Sequence, residues 1–274
     1  MLDVEIAHHT ENKINSIQKP TQASTDSSPC IRLEDVCIDF PVYSAPDWSI
    51  RLKLANSLSR KVEQKRQHQV VHALRDINLQ IYHGERVALL GANGAGKSTL
   101  LQVLSLIYPP TSGLALVDGQ INSLLNISLG TDPELSGREN LLIRGVMMGL
   151  KPEQIEDVIP DVIDFADLDE FIDLPMRTYS TGMRVRLLFS MATAVPGDIL
   201  LMDEWLSAGD QNFRQKATER MHDFVKKSGV LVLASHSVPL LKKTCSRGIW
   251  LDQGSVRMDG PIDEVCAAYT VQNK

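Results

Sequence analysis

The stretch that most constrains this chain is Gly91-Ala92-Asn93-Gly94-Ala95-Gly96-Lys97-Ser98-Thr99, which directly follows the apolar run Arg86–Leu90. It satisfies GxxxxGK[ST], and a strand that feeds such a loop into a helix makes a phosphate cradle. Its glycines let backbone N–H groups turn inward around an anion, and the helix opening near Gly96 adds the positive end of its dipole. The pattern predicts that Lys97 reaches the terminal phosphates of a nucleotide and that Ser98 ligates Mg2+.

A second half of the same site is predicted 106 residues after Lys97, where the apolar strand Ile199–Met202 ends in Asp203-Glu204. Carboxylates at the carboxyl end of a strand sit at the ligand edge of an α/β sheet. Asp203 is expected in the Mg2+ shell and Glu204 as general base on the attacking water. The strand Val230–Ala234 ends likewise in Ser235-His236-Ser237, which places the His236 imidazole where it can hydrogen-bond a γ-phosphate.

Composition narrows the class. The chain has 274 residues, 43% hydrophobic and 23% charged, an ordinary balance for a globular protein that folds in water. With 28 basic against 34 acidic residues, the formal charge of -6 argues against a broad nucleic-acid-binding face. Cys30, Cys37, Cys245 and Cys266 show neither CxxC pairing nor metal-like His spacing, and reduced thiols are expected. Charged residues interrupt positions 1–30, so no signal peptide is predicted, and no apolar run approaches a membrane span. Any membrane role must come through a partner.

Along the chain, residues 1–29 read as a disordered polar tail. The folded domain is expected over 30–274, beginning with an edge strand through Ile31, Leu33, Val36, Ile38 and Phe40 that ends at Pro41. The segment 43–69 is basic, with Arg51, Lys53, Arg60, Lys61, Lys65 and Arg66 against Asp47 and Glu63. It reads either as an amphipathic helix near a membrane surface or as a solvated insertion. From Val70 short strands alternate with helices, the order of an α/β fold with a largely parallel sheet. Helical spacing over about 132–176 predicts a helical subdomain with Ile155, Val158, Ile159, Val162, Ile163 and Phe165 on one face. Pro160 is expected to start a second helix or kink one. Residues 248–258 read as a hairpin turning at Asp252-Gln253-Gly254, followed by a short helix from Pro261.

The discriminating segment is Tyr179-Ser180-Thr181-Gly182-Met183, whose Ser lies 23 residues before Asp203. A Ser-Thr-Gly turn alone is an ordinary helix cap. Phosphate loop, Ser-x-Gly signature, Asp-Glu strand and His in this order, however, resemble the ABC ATPases, with the signature in a YSxGM form. Ser123-Leu124-Leu125, Gly130, Pro133–Asn140 and Asp203–Asp210 are similar to cassettes of the bacterial O-antigen, teichoic acid and capsule export branch. The resemblance covers roughly residues 31–270.

It implies a P-loop cassette with a mainly parallel core sheet, an antiparallel β subdomain and a helical subdomain. It also implies ATP and Mg2+ as ligands, with Phe40 stacking on adenine and Ser180, Thr181, Gly182 and Asp210 joining residues 91–99 in nucleotide contact. The implied partners are a second copy placed head to tail, an integral-membrane permease, and a lipid-linked glycan reached through that permease at the cytoplasmic face of the membrane, with no nucleic acid. Two features depart from the pattern. Ile127 stands where most such cassettes carry a Gln, and no carbohydrate-binding domain is expected after the helix near 267–271. Alternatives are a soluble cassette acting in translation or DNA maintenance, and an importer of small solutes.

Overall fold

The computed structural model describes residues 28–42, 69–125, 127–128, 130–204 and 211–272. The expected tail therefore lies outside the described residues apart from 28–29, as do the 43–69 segment apart from Gln69, and Asp210. The strands are β1 (Ile31–Val42), β2 (Gln69–Ile81), β3 (Arg86–Leu90), β4 (Ser112–Val117), β5 (Ile121–Ser123), β6 (Ile199–Asp203), β7 (Val230–Ala234), β8 (Arg247–Asp252) and β9 (Ser255–Pro261). The helices are α1 (Lys97–Leu104), α2 (Gly137–Met147), α3 (Pro152–Ala166), α4 (Thr181–Ala192), α5 (Gln211–Lys227), α6 (Val238–Thr244) and α7 (Ile262–Gln272).

Six strands form the core sheet in the order β5-β6-β7-β3-β8-β9, parallel except for the β8–β9 hairpin. β3, β6 and β7 are apolar almost throughout because both of their faces are covered. The strand period of two splits them cleanly. Val87, Leu89, Leu201 and Val232 face α1 and the antiparallel sheet, whereas Ala88, Leu90, Leu200, Met202, Leu231 and Leu233 face α5, α6 and α7. Arg86 ties this sheet to α5 by donating to the carbonyls of Val225, Ser228 and Gly229 at 3.0, 2.8 and 3.3 Å, where the helix leaves its last acceptors open.

The second sheet is three-stranded and antiparallel, in the order β2-β1-β4. This corrects the expectation of an edge strand, since β1 is the central one. Pairing with β4 ends at Cys37, however, while pairing with β2 continues to Val42, so Pro41 occupies a one-sided stretch where its missing N–H costs no second ladder.

α2, α3 and α4 enclose a separate apolar cluster that includes Leu141, Ile155, Ile159, Val162, Leu187 and Met191. Two details differ from the helical reading. Of the two readings of Pro160, the start of a second helix is excluded, since it lies inside α3 on the exposed side and Pro152 opens the first turn. Phe165 turns away from the Ile155 face and stacks on Phe189, with ring centroids 6.1 Å apart, in the cluster behind the core sheet. The cysteines are free thiols, and burial pushes Cys245 up to about 12. Among the described residues no helix is long and apolar enough to cross a membrane.

Candidate functional site

Adjacent strands bring the motifs together. β7 lies between β3 and β6, and Ala234 is in register with Leu89 on one side and Asp203 on the other. The loop 91–99, Ser235-His236 and Asp203-Glu204 therefore emerge at one carboxyl edge of the sheet, where α/β folds place ligands.

Two glycines of the loop are dictated by backbone crowding. A Cβ at Gly91 would lie 2.5 Å from the Leu251 carbonyl oxygen, and one at Gly96, at φ 105°, would lie 3.0 Å from the Ala73 carbonyl oxygen. Ala92, Asn93 and Gly94 are exposed, Ala95 is buried and Thr99 half-buried. No side chain caps α1 at Gly96, so its first-turn N–H groups remain available to an anion. The Lys97 ammonium is buried and donates to the carbonyls of Gly91 at 2.6 Å and Ala92 at 3.0 Å. Burial lowers its pKa, opposed by the charges of Asp203 and Glu204.

Ser98 Oγ donates to Asp203 Oδ2 at 2.6 Å across 105 residues of sequence. Glu204 follows at φ 73°, a left-handed conformation that costs on the order of 1–3 kcal/mol for a non-glycine residue. It is over-determined there. Its N–H donates to the Ala234 carbonyl at 2.8 Å, and its carboxylate accepts from Ser235 Oγ and from the His236 N–H, both at 3.0 Å. His236 thus meets Glu204 through its backbone, while the residue as a whole is exposed. Ser235 is buried, and its role in holding the carboxylate was not assigned from sequence. The signal was its place at the end of a strand, but its facing Glu204 depends on the β6–β7 register.

The remaining residues lie elsewhere. Ser180 is the N-cap of α4 and accepts from the Met183 N–H at 3.2 Å. Ser180, Thr181 and Gly182 are exposed, and among the described residues no hydrogen bond joins them to the loop 91–99. The turn beginning at Pro133 buttresses this cap from behind. Leu135 and Pro133 carbonyls accept from the Met176 and Arg177 N–H groups at 2.9 and 2.8 Å, and Tyr179 Oη donates to the Phe171 carbonyl at 2.7 Å. Asn140, fully buried, knots the turn by accepting from the Asp132 N–H at 2.7 Å and donating to the carbonyls of Asp132 and Ser136, both at 2.9 Å. Asn140→Ala is expected to cost roughly 2–4 kcal/mol of stability in a denaturant titration, because buried partners lose their bonds. A loss below about 0.5 kcal/mol would remove Asn140 from this role.

Phe40 is 37% exposed near the end of β1 and meets Tyr108 edge to face at 5.4 Å, leaving ring surface open. Ile127 is half-buried and packs against both the cluster behind the core sheet and the helical cluster, with its carbonyl accepting from Arg144 Nη1 at 3.0 Å. The whole constellation can seat a polyphosphate against the loop N–H groups. The Ser98 hydroxyl and Asp203 carboxylate, 2.6 Å apart, are hard oxygen donors of the kind Mg2+ takes, so the residues present fit that ion.

A family model described as "ABC transporter" matches residues 74–207. The O-antigen export system ATP-binding protein RfbB of Myxococcus xanthus is 42% identical over 210 residues, covering 77% of this chain and 48% of that protein. The chain thus spans about half the length of that relative. RfbE of Yersinia enterocolitica, another O-antigen export system ATP-binding protein, is 38% identical over 225 residues, covering 81% of this chain and 94% of its own length. A solved dimeric ATP-binding cassette in a post-hydrolysis state, bound to ADP and Pi, superposes with a TM-score of 0.60 at 19% identity, over 85% of this chain and 98% of that one. Sequence relatives and shared architecture agree with the site: this chain belongs to the ABC transporter family of ATP-binding cassettes.

Proposed function

We propose that this chain binds and hydrolyses ATP as the cassette subunit of a transporter that exports lipid-linked polysaccharide of the O-antigen, teichoic acid or capsule type. The observation that carries the reading is the Ser98–Asp203 contact with Glu204 fixed beside it, two distant segments converging on one point. In this reading Lys97 exchanges its bonds to the neutral Gly91 and Ala92 carbonyls for stronger bonds to phosphate oxygens, in which both partners are charged. Ser98 and Asp203 hold Mg2+, which when bound supplies positive charge against the phosphate oxygens. Glu204, held by Ser235 and His236, takes the proton of the attacking water on a carboxylate oxygen, and the His236 ring helps keep that water in line. Phe40 stacks on the base without reading its edge.

Ser180, Thr181, Gly182 and Asp210 serve the nucleotide of a second copy placed head to tail. ATP contacted from both sides favours the closed pair until hydrolysis releases it. The pair works on an integral-membrane permease at the cytoplasmic face, and the permease forms the glycan path. The O-antigen names of the relatives from Myxococcus xanthus and Yersinia enterocolitica support this cargo class.

Calorimetric titration with ATP tests the nucleotide reading. Saturable binding strengthened by Mg2+ is expected, and absence of affinity would sink it. Co-reconstitution with the permease in vesicles tests the cargo, with ATP-dependent movement of lipid-linked glycan expected. Ribosome or DNA co-purification without permease binding would refute the transport assignment.

A further inference from the structure

The phosphate loop is held from outside by the β8–β9 hairpin, which is far from it in sequence. The hairpin turns through Gln253 and Gly254 at φ 48° and 83°, both in the left-handed region that two-residue hairpin turns require. Gly254 bridges two elements. Its N–H donates to the Ala95 carbonyl at 3.1 Å, and its own carbonyl accepts from the Arg75 N–H at 2.8 Å. Packing allows no side chain there, because a Cβ would stand 2.8 Å from the Ala73 carbonyl oxygen and 3.2 Å from the Ala73 carbonyl carbon, backbone atoms that cannot swing aside. The same Ala73 oxygen would lie 3.0 Å from a Cβ at Gly96, with the Leu74 side chain at 2.8 Å, so β2, loop and hairpin meet in close contact.

A trans peptide unit is planar, with its C=O and N–H pointing in opposite directions. Turning the Ala95 carbonyl toward Gly254 therefore turns the Gly96 N–H away from the hairpin. Among the described residues no acceptor receives that Gly96 N–H. We infer that Gly254 is a positioning residue for nucleotide binding: by holding the Ala95 carbonyl, it aims the Gly96 N–H at a bound phosphate. The inference rests on the nucleotide-binding reading above. It assigns a function in the phosphate site to a hairpin 158 residues beyond Gly96.

Gly254→Ala forces the hairpin off Ala73 and withdraws its N–H from Ala95, freeing the 95–96 peptide to rotate. Calorimetric affinity for MgATP is expected to fall by at least about tenfold, the worth of one hydrogen bond to a charged group. Two controls separate positioning from general damage. Gly84→Ala carries comparable backbone strain at φ 89° with nothing within 4 Å of the added Cβ, and Gly260→Ala lies on the same hairpin in open space. Both should bind within about twofold of wild type, well under the tenfold effect of a 1.4 kcal/mol change. Wild-type affinity in Gly254→Ala, or an equal loss in Gly84→Ala, would overturn the inference.

Should Gly254→Ala fail to fold, hydrogen exchange in the wild-type chain decides. Because coupling between sites is reciprocal, a saturating non-hydrolysable ATP analogue should slow exchange of the Gly254 amide and leave the Gly260 amide unchanged. An unchanged Gly254 rate would overturn the inference while leaving the nucleotide reading intact. A wild-type chain without ATP affinity would refute the nucleotide reading and this inference with it.

Discussion

Glu204→Gln is expected to lower steady-state ATP turnover by about 10²–10³-fold, in the range attributed to a positioned general base. MgATP affinity should stay within about threefold of wild type, less than the tenfold step of 1.4 kcal/mol. The amide has nearly the same shape as the carboxylate: its oxygen can accept from the His236 N–H in place of Oε1, and its NH2 can donate to Ser235 Oγ in place of Oε2 once that hydroxyl turns to accept, so the local fold is kept. What it loses is the capacity to take a proton from water. With hydrolysis stopped and binding intact, the ATP-bound pair should accumulate, visible as a dimer in sedimentation velocity with MgATP. Turnover at the wild-type rate would refute the assignment of Glu204 as base, and a monomer at saturating MgATP would refute the head-to-tail pairing.

Lys97→Ala should act on binding itself. Its ammonium is buried among the loop carbonyls and burial already disfavours its charge, so a phosphate is a better partner than the contacts it now makes. Charge-assisted hydrogen bonds contribute about 1.5–3 kcal/mol each, and losing the Lys97 contacts should weaken MgATP affinity by about a hundredfold. Circular dichroism should show an intact fold. Affinity equal to wild type would contradict the role of Lys97 in the cradle.

Much of this site could be read from the chain because its chemistry is written in contiguous words. Gly91–Thr99 is a local pattern, Asp203-Glu204 ends a strand whose apolar run is unmistakable, and His236 follows another. What the chain could not disclose was which strands lie side by side. Ser235 meets Glu204 only because β7 is registered against β6, and Gly254 meets Ala95 only because β8 is registered against β3. β1 reads as an edge strand for the same reason. Pro41 is a local edge signal, whereas the pairing of Ile31–Cys37 with β4 is a long-range event. Phe165 was assigned by helical period, but it lies near the end of α3, where a large ring reaches the neighbouring Phe189 and Phe213 instead. The motif at 133–140 has a physical rationale that no local pattern shows: Asn140 closes a turn against the backbone that leads into Ser180.

Ile127 has a mechanical consequence. Its side chain touches the packed interiors of two lobes, while its carbonyl accepts from Arg144 Nη1 of the helical lobe at 3.0 Å. If the helical lobe swings against the sheet, a branched hydrocarbon must slide between two oily walls, and its resistance depends on fit and on how strongly water expels it. Such a joint slackens in the cold, when the hydrophobic drive fades. Cooling should therefore loosen the apolar share of the coupling between the lobes, while the Arg220–Asp161 pair and the Arg144 bond to the Ile127 carbonyl keep their hold.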